Sequence, residues 1–350
     1  MKTSLFRPRR AAVVALLAVI FLSLEGCYYM QAIRGHADLM GRRRPVSEVI
    51  EDDASPQALK ARLALVTTAR DFAVTDLLLP DNDSYRSYAD LERDYVVWNV
   101  FAAPEFSLQP KTWCYPVAGC VAYRGYFNED SARKLESKLS ADGFDVAVGG
   151  VSAYSTLGRF ADPVLNTMMR WTDVDLVSTM FHELAHQKLY IKGDSAFNES
   201  FATAVADIGV DLWLHRTGEL DRLQVYNARK VLHQSMLALV REPHAALDAL
   251  YGSDLPAEEM RRQKARLLSE LSDRAQQVVD DDGGGAHNWL AAPLNNARLV
   301  SMNLYEGRVA AFRSIYADCN RSLDCFYERA RAVSEMADRD RNRVLDALAD

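Results

Sequence analysis

The 350-residue chain has few cysteines, no basic stripe with interleaved aromatic residues and no apolar run long enough to cross a bilayer. The formal net charge is −7, and together with the missing basic stripe it argues against nucleic-acid binding. None of the five cysteines forms the close CxxC spacing that a cysteine zinc site needs. No internal repeat stands out, so the composition is that of an ordinary globular protein with one large domain or two small ones.

Residues 1–27 are predicted to be a secretion leader. Four basic residues precede the apolar run Ala11 to Leu24, which is shorter than the ~20 residues of a membrane-spanning helix but suits a secretory signal. The run closes on LEGC, which resembles the bacterial lipobox, where the cysteine is acylated and becomes the mature N-terminus. Glu25 is an unusual residue for that pattern. Lipidation of Cys27 is the favoured interpretation and an uncleaved anchor is the alternative; both tether the body of the protein to a membrane outside the cytoplasm.

The other four cysteines lie in two local pairs. Cys114 is close to Cys120, and Cys319 is close to Cys325. An oxidising compartment permits disulfides, and four cysteines allow three connectivities. Proximity along the chain favours the two local bridges.

The order of elements predicts an α+β fold in which a small β-rich layer is followed by helices. Residues 28–92 read as a mostly helical segment, in which Ser55 is the predicted N-cap and Pro56 the first residue of a helix over 55–79. Strands are predicted over 94–104, 119–127 and 144–158, with a helix capped by Asn128 and ended by Gly143 between the last two.

Helices are predicted to dominate the rest of the chain. They cover about 173–190, 196–216 and 219–280, the glycine-rich segment 280–288 is a loop, and helices resume near Leu294. We therefore expect a core region over 93–216 and a mostly helical region over 217–350 that completes a cleft.

The sequence FHELAHQ carries the spacing of a metal site. On a helix, His182 and His186 lie on one face a turn apart and can offer two imidazole nitrogens to a single ion. Glu183 lies beside that ion, where it can accept a proton from a water molecule. The alternative is a buried helix that carries two ordinary histidines.

Glu199 is the predicted third ligand. The first helix is expected to run to about Ile191, with Gly193 as its C-cap and Asp194 or Ser195 opening the next helix. An antiparallel return would bring Glu199 back over the histidines. Other acidic residues compete for this role, and Asp207 is better placed to support a histidine from outside the ligand set; these competitors are Asp194, Asp207 and Asp211.

The metzincin pattern is excluded, because it needs glycine at 189 and histidine at 192 where this chain has Leu189 and Lys192. With Glu199 in an Asn198–Glu199 pair, the sequence instead resembles the gluzincins, the thermolysin-like zinc peptidases. Two departures are the short gap between His186 and Glu199 and the presence of Thr203 where an aspartate is usual.

Longer blocks extend the resemblance over residues 28 to 316. APEFSLQPKTWCYPVAGCVAYRGYF, GGVSAYSTLGRFADPVLNTM, FNESFA and NNARLVSMNLYEG are together similar to the predicted zinc aminopeptidase family of Gram-negative bacterial lipoproteins. The resemblance implies a periplasmic, membrane-anchored peptidase that holds one Zn²⁺ and acts on peptides. The alternatives are a zinc endopeptidase and a membrane-tethered zinc-binding scaffold lipoprotein without turnover.

Two further roles are assigned by comparison with gluzincins. The strand before the metal helix is expected to line the cleft and to bind extended substrate through Gly149, Gly150 and Tyr154. A tyrosine or histidine is expected to donate a hydrogen bond to the oxyanion, with Tyr305 as first choice and Tyr154 or His287 as alternatives.

A free substrate amine needs an acidic partner, and the residues alone do not identify one. The glutamate of the GxMEN strand of large aminopeptidases has no counterpart in GGVSAYS. Glu105 and Asp162 are the candidates, although neither is part of a motif.

Overall fold

The structure is a computed structural model that describes residues 28–115, 119–281, 290, 292–303 and 308–349. The predicted lipidation site Cys27 and the predicted oxyanion donors Tyr305 and His287 lie outside these residues. The helices are α1 (28–41), α2 (Val46–Glu51), α3 (Gln57–Thr75), α4 (Glu129–Ala141), α5 (Asp173–Lys188), α6 (Ser195–Thr217), α7 (Leu220–Tyr251), α8 (Ala257–Asp281), α9 (Asn296–Asn303), α10 (Val309–Asp318), α11 (Leu323–Ser334) and α12 (Asp338–Ala349).

The strands are short and group into small sheets, which confirms the predicted α+β class. They are β1 (Arg43–Pro45), β2 (Ser87–Ala89), β3 (Val97–Pro104), β4 (Trp113–Tyr115), β5 (Gly119–Val121), β6 (Tyr123–Tyr126), β7 (Phe144–Val151) and β8 (Val164–Leu165). Among the described helices, none is long and apolar enough to cross a membrane.

Strand β3 is the centre of an antiparallel sheet in the order β6, β3, β7. It pairs along its whole length with β7, from Val97 opposite Val151 to Pro104 opposite Phe144. Because side chains alternate between the faces of a strand, Val100 and Ala102 pack against α4 while the opposite face is free to form part of a cavity. The other sheets are β1-β2-β8 and the hairpin β4-β5.

Both predicted disulfides are present. Cys114 and Cys120 lie directly opposite each other in the β4-β5 hairpin and are bonded. Cys319 and Cys325 are bonded across the turn between α10 and α11. Each bridge therefore closes a local loop, as proximity along the chain predicted.

The predicted strand over 119–127 divides into β5 and β6, because the first part pairs with β4 and the second with β3. The strand predicted over 144–158 ends earlier, at Val151, and the chain then leaves the sheet. Asn128 caps α4 as predicted, since its side chain accepts a hydrogen bond from the backbone N–H of Ser131 at 3.0 Å. Gly143 follows α4 with φ of +84°, the left-handed conformation that ends helices at glycine.

Two predicted helix boundaries are wrong. The helix expected from Ser55 begins at Gln57, because Pro56 has φ −55° and ψ 137° and therefore flanks the helix instead of starting it. The helix that carries His182 and His186, α5, ends at Lys188 and not near Ile191, because Leu189 is extended. Gly193, with φ of +87°, belongs to the connection before α6 and does not cap α5.

The main core is built on α3, α5 and α6, and it extends from Leu39 to Leu345. Buried aromatic rings such as Phe181 and Phe201 fill its centre, and Phe312 brings the C-terminal helices onto α6. A separate core lies within the α7–α8 hairpin, where apolar residues such as Leu271 recur on one face. The helix pair α5 and α6 is therefore rigidly held, which matters because it carries the candidate ligands.

Candidate metal centre

His182 and His186 lie one turn apart on α5, and their Nε2 atoms are 3.1 Å from each other. Thr172 caps the start of this helix by accepting a hydrogen bond from the backbone N–H of Asp175. The opposite face of α5 is buried through residues such as Phe181 and Leu184. Packing of that face therefore fixes the rotation of the helix and directs both imidazoles to the same point.

Glu199 reaches the imidazoles from α6. Its Oε2 atom is 3.2 Å from His182 Nε2, and its Oε1 atom is 3.7 Å from His186 Nε2. The side chain of Asp194 caps α6 by accepting a hydrogen bond from the backbone N–H of Phe197 at 3.0 Å. The antiparallel return predicted from the sequence thus brings Glu199 to the two histidines.

Asn198 explains how the short connection between the helices is held. Its side chain accepts a hydrogen bond from the backbone N–H of Ile191 at 2.8 Å and donates one to the carbonyl of the same residue at 2.7 Å. The asparagine is buried, and it fixes the connection at the residue before Glu199. The Asn–Glu pair therefore combines a structural amide with the carboxylate that meets the two histidines.

These three side chains fit a tetrahedral zinc ion. Ligands about 2.05 Å from such an ion lie about 3.3 Å apart. The separations of 3.1, 3.2 and 3.7 Å are close to that value, and one ligand atom from each residue lies within 4.8 Å of the others. Two imidazoles and one carboxylate are also a donor set that zinc prefers.

Without an ion, the same atoms form a charged hydrogen-bonded group. Burial raises the pKa of Glu199, but hydrogen bonds with His182 and His186 and their charges outweigh burial and lower it to about 2. Burial lowers the pKa of His182, yet the hydrogen bond with Glu199 and the charges of Glu183 and Glu199 raise it overall. A proton on His182 would therefore compete with any metal ion held by these three side chains.

Asp207 does not hold a histidine as the sequence suggested. Its carboxylate accepts a hydrogen bond from the hydroxyl of Tyr226 at 3.0 Å and forms an ion pair with Lys230. The Nδ1 atom of His186 is buried, and within the described part of the chain it has no hydrogen-bond partner. The support of the histidines thus differs from the predicted aspartate arrangement.

A cavity of about 710 Å³ opens over the three side chains. Glu183 lines it beside the candidate ligands, as does Tyr154, while Tyr226 brings α7 into the wall. Gly149 and Gly150 are exposed on β7 and are outside the lining. A side chain at Gly150 would strike the ring of Tyr95, so this glycine serves the packing of Tyr95.

Comparison with known proteins identifies the family to which the chain belongs. Residues 27–345 match the model of a family described as "Putative aminopeptidase". The chain belongs to this family. Searches of the curated proteins and of the solved structures each returned no significant match. Family membership suggests an aminopeptidase activity, and every candidate ligand lies within the matched region of this family member.

Sequence reasoning did not single out Tyr123, although it faces the candidate centre from β6. Tyr123 lines the cavity, and its pKa is raised by burial and by the nearby charges of Glu199, Tyr190 and Glu183. Its strand neighbour Gly125 lies on the same face of β6, which is the cavity side. Side chains alternate between the two faces of β6, so YRGY indicates that Tyr123 and Gly125 share a face. The sequence does not indicate which face of the sheet is the cavity side.

Behind Glu183 lies a second buried group formed by Tyr85 and Asp162. The backbone N–H of Tyr85 donates to the carbonyl oxygen of Asp162 at 2.7 Å, and Tyr85 has a left-handed φ of +64°. The neighbouring Ser84 receives a hydrogen bond from Gln187, which is one turn beyond Glu183 on α5. This segment therefore packs against the face of α5 that carries Glu183.

Neither acidic candidate for binding a substrate amine lines the cavity. Glu105 pairs with Arg261 of α8, at 2.9 Å for its second oxygen. Asp162 is fully buried, and its carboxylate accepts hydrogen bonds from the backbone N–H and the hydroxyl of Thr156. Both carboxylates therefore have structural partners.

Proposed function

We propose that this protein is a zinc-dependent peptidase and that it acts as an aminopeptidase. The observation that carries the proposal is the convergence of His182, His186 and Glu199 at tetrahedral spacing on the wall of a cavity that Glu183 also lines. Membership of the aminopeptidase family supports the choice of peptide bonds as substrate. The HExxH helix and the glutamate on the following helix also support a gluzincin-like core.

His182, His186 and Glu199 would hold the zinc ion, which would supply a Lewis acid for the peptide carbonyl and for a water molecule. Glu183 takes a proton from the attacking water and delivers it to the leaving nitrogen, so that water and the peptide bond become a carboxylic acid and an amine. The hydroxyl of Tyr123 donates a hydrogen bond to the carbonyl oxygen as negative charge develops there. Tyr305, outside the described residues, stays a prediction for the same role.

A zinc endopeptidase is the second candidate, and the lining of the cavity favours it. The carboxylates among the described lining residues belong to Glu183, Glu199 and Asp207. The first is the proposed base, the second a proposed ligand, and the third is paired with Lys230. An amine-binding acid is therefore missing from the described lining, whereas an endopeptidase needs none.

Matched peptides with free and blocked N-termini separate these functions. We expect the purified full-length protein to cleave only the free-amine peptides, and to lose this activity with a chelator and regain it with zinc. Cleavage of both kinds of peptide would identify an endopeptidase. Cleavage of neither by a protein with stoichiometric zinc would support the scaffold alternative.

The variant Glu183→Gln tests the proposed base. It keeps the shape of the side chain and all three ligands, so zinc content should match the wild type. Turnover should fall by about 10²- to 10⁴-fold, the contribution typical of a general base. Turnover at the wild-type rate with full zinc occupancy would remove the assignment of Glu183.

We also propose that the protein is tethered to a membrane outside the cytoplasm. The basic leader, the apolar run Ala11 to Leu24 and the lipobox-like LEGC support an anchor at Cys27. The two disulfides are compatible with an oxidising compartment such as the periplasm. Flotation of the full-length protein with vesicles, and its loss after removal of residues 1–27, tests the tether.

A further inference from the structure

We propose that α1 and the neighbouring loop form a lipid-facing surface that lies on the membrane and brings the mouth of the cavity close to it. This surface consists of Tyr29, Met30, Ile33 and Phe160. The inference rests on the proposed tether, but it adds a defined contact and an orientation for the folded body.

The four side chains are large, apolar and exposed. The exposed fractions are 49% for Met30, 62% for Ile33 and 52% for Phe160, with Tyr29 at 39%. Met30 and Ile33 are three residues apart and lie on one face of α1. The ring of Phe160 is 4.6 Å from the ring of His36, which is the next position on that face. Phe160 therefore adjoins the exposed face of α1 through the partly buried ring of His36, and the four apolar side chains form a strip that a soluble monomer rarely leaves exposed without a use.

Basic side chains border the strip. Arg34 on α1 and Arg159 beside Phe160 are both exposed. The acidic residue of α1, Asp38, forms an ion pair with Arg42 at 3.0 Å. An apolar strip with a basic border suits the boundary between acyl chains and anionic headgroups.

The sequence before α1 indicates lipid as the occupant. The apolar run ends at Leu24, four residues before Tyr28, which is a distance of at most about 14 Å for an extended chain. Ile33 is five residues farther along the helix, or about 8 Å at 1.5 Å per residue. The strip is thus held within reach of the boundary layer, where amphipathic helices insert by about 5–10 Å.

The same helix also borders the cavity, because Tyr28 and Ala32 belong to its lining. Contact of α1 with a bilayer therefore places the cavity mouth next to the membrane surface. If the proposed peptidase function is correct, the substrates are peptide segments presented at that surface.

The test uses the full-length protein in vesicles that contain anionic and brominated lipids. A cysteine replaces Ile33, Phe160 or Val231 in separate variants and carries an environment-sensitive fluorophore; the parent protein without the added cysteine gives the background. Val231 is the matched control, since it is an exposed aliphatic residue at 61% on α7. Circular dichroism of each labelled variant checks that the fold is retained.

We expect brominated lipid to quench most of the emission at positions 33 and 160 and little at 231. The double substitution Met30→Asp with Ile33→Asp should restore emission at 160, whereas Val231→Asp should not. Equal quenching at all three positions, or none in protein that floats with the vesicles, overturns the lipid-facing surface but leaves the tether intact. Failure to float overturns the tether and this inference together, and neither result affects the peptide-cleavage experiment.

Discussion

Replacing Asp162 by asparagine should make the protein more stable above neutral pH. This carboxyl group is completely buried, and it accepts hydrogen bonds from Thr156 N–H at 2.9 Å and Thr156 Oγ1 at 2.8 Å. Burial raises the pKa of Asp162 from 3.8 to about 6; hydrogen bonds with Thr156 and Ser155 oppose the rise, and the charge of Glu183 adds to it. The folded protein therefore disfavours the ionised form.

The size of the effect follows from the two pKa values. A rise of about two pKa units corresponds to about 3 kcal/mol. Because the folded-state pKa of Asp162 lies above the unfolded value, the folded state holds the proton more tightly. The contribution of Asp162 to stability is then greatest below pH 4 and is lost as the pH rises through about 6. Asparagine is neutral throughout, so the variant avoids this loss, and its amide can still accept the hydrogen bond from the Thr156 N–H.

Urea unfolding of both proteins between pH 4.5 and 8, in the presence of a chelator, measures the difference. All other titrating groups are shared, so subtraction isolates Asp162. We expect the free energy of unfolding of Asp162→Asn, relative to wild type, to rise by about 2 kcal/mol across this range, since about 1 kcal/mol of the full effect has already developed at pH 4.5. The exposed substitution Asp254→Asn removes the same charge and is the control. A difference that does not change with pH would refute the reasoning about burial.

Three further predictions concern the metal helices. The pKa of His182 is raised in the metal-free protein, so zinc must displace a proton from this side chain. Competition with a chelating dye should therefore show that zinc affinity increases from pH 5 to pH 8. A zinc affinity that does not change with pH would contradict this prediction. A Cβ atom at Gly209 of α6 would lie 2.7 Å from the ring of Phe181 of α5. Gly209→Ala should therefore lower the free energy of unfolding, measured in urea, by about 1–3 kcal/mol. An unchanged value would show that α5 and α6 can separate to admit the methyl group. Asp194→Ala removes the N-cap of α6 and a partner of buried Arg341. We expect the free energy of unfolding to fall by about 3 kcal/mol and zinc to bind more weakly. Unchanged stability would exclude a coupling between Asp194 and the candidate zinc site.

The local parts of this structure could be predicted from the sequence. Asn128 and Gly143 bound α4 because capping depends on neighbouring residues alone. The i, i+4 spacing of His182 and His186 places them on the same face of α5. The connection between α5 and α6 is short, which restricts Glu199 to positions close to these histidines. The two wrong helix boundaries, the start of α3 at Ser55 and the end of α5 near Ile191, also concern local features. At each boundary several flanking residues were equally compatible with a helix end.

The remaining parts depend on contacts between residues far apart in the chain. Tyr123 lies at the cavity because β6 pairs with β3 and the resulting sheet face lines the same cavity as α5, and neither feature can be read from YRGY. The backbone of Tyr85 is likewise left-handed, with a φ of +64°, and a tyrosine in the sequence does not indicate this conformation. Arg341 contacts Asp194 across 147 residues. Such contacts follow from the complete fold, so the convergence of His182, His186 and Glu199 was predictable whereas their surroundings were not.

The departures from the gluzincin pattern are understandable in this light. The gap between His186 and Glu199 is short, but Asn198 binds both backbone groups of Ile191, so a brief connection is held without additional chain. At its start, α6 is anchored by Asp194, whose second oxygen is 2.7 Å from Arg341 of α12. Thr203, at the position of the usual aspartate, lines the cavity instead of adding a charge. The position of Glu199 therefore depends on the C-terminal helix as well as on the motif, which is why residues far beyond the HExxH segment belong to the same functional unit.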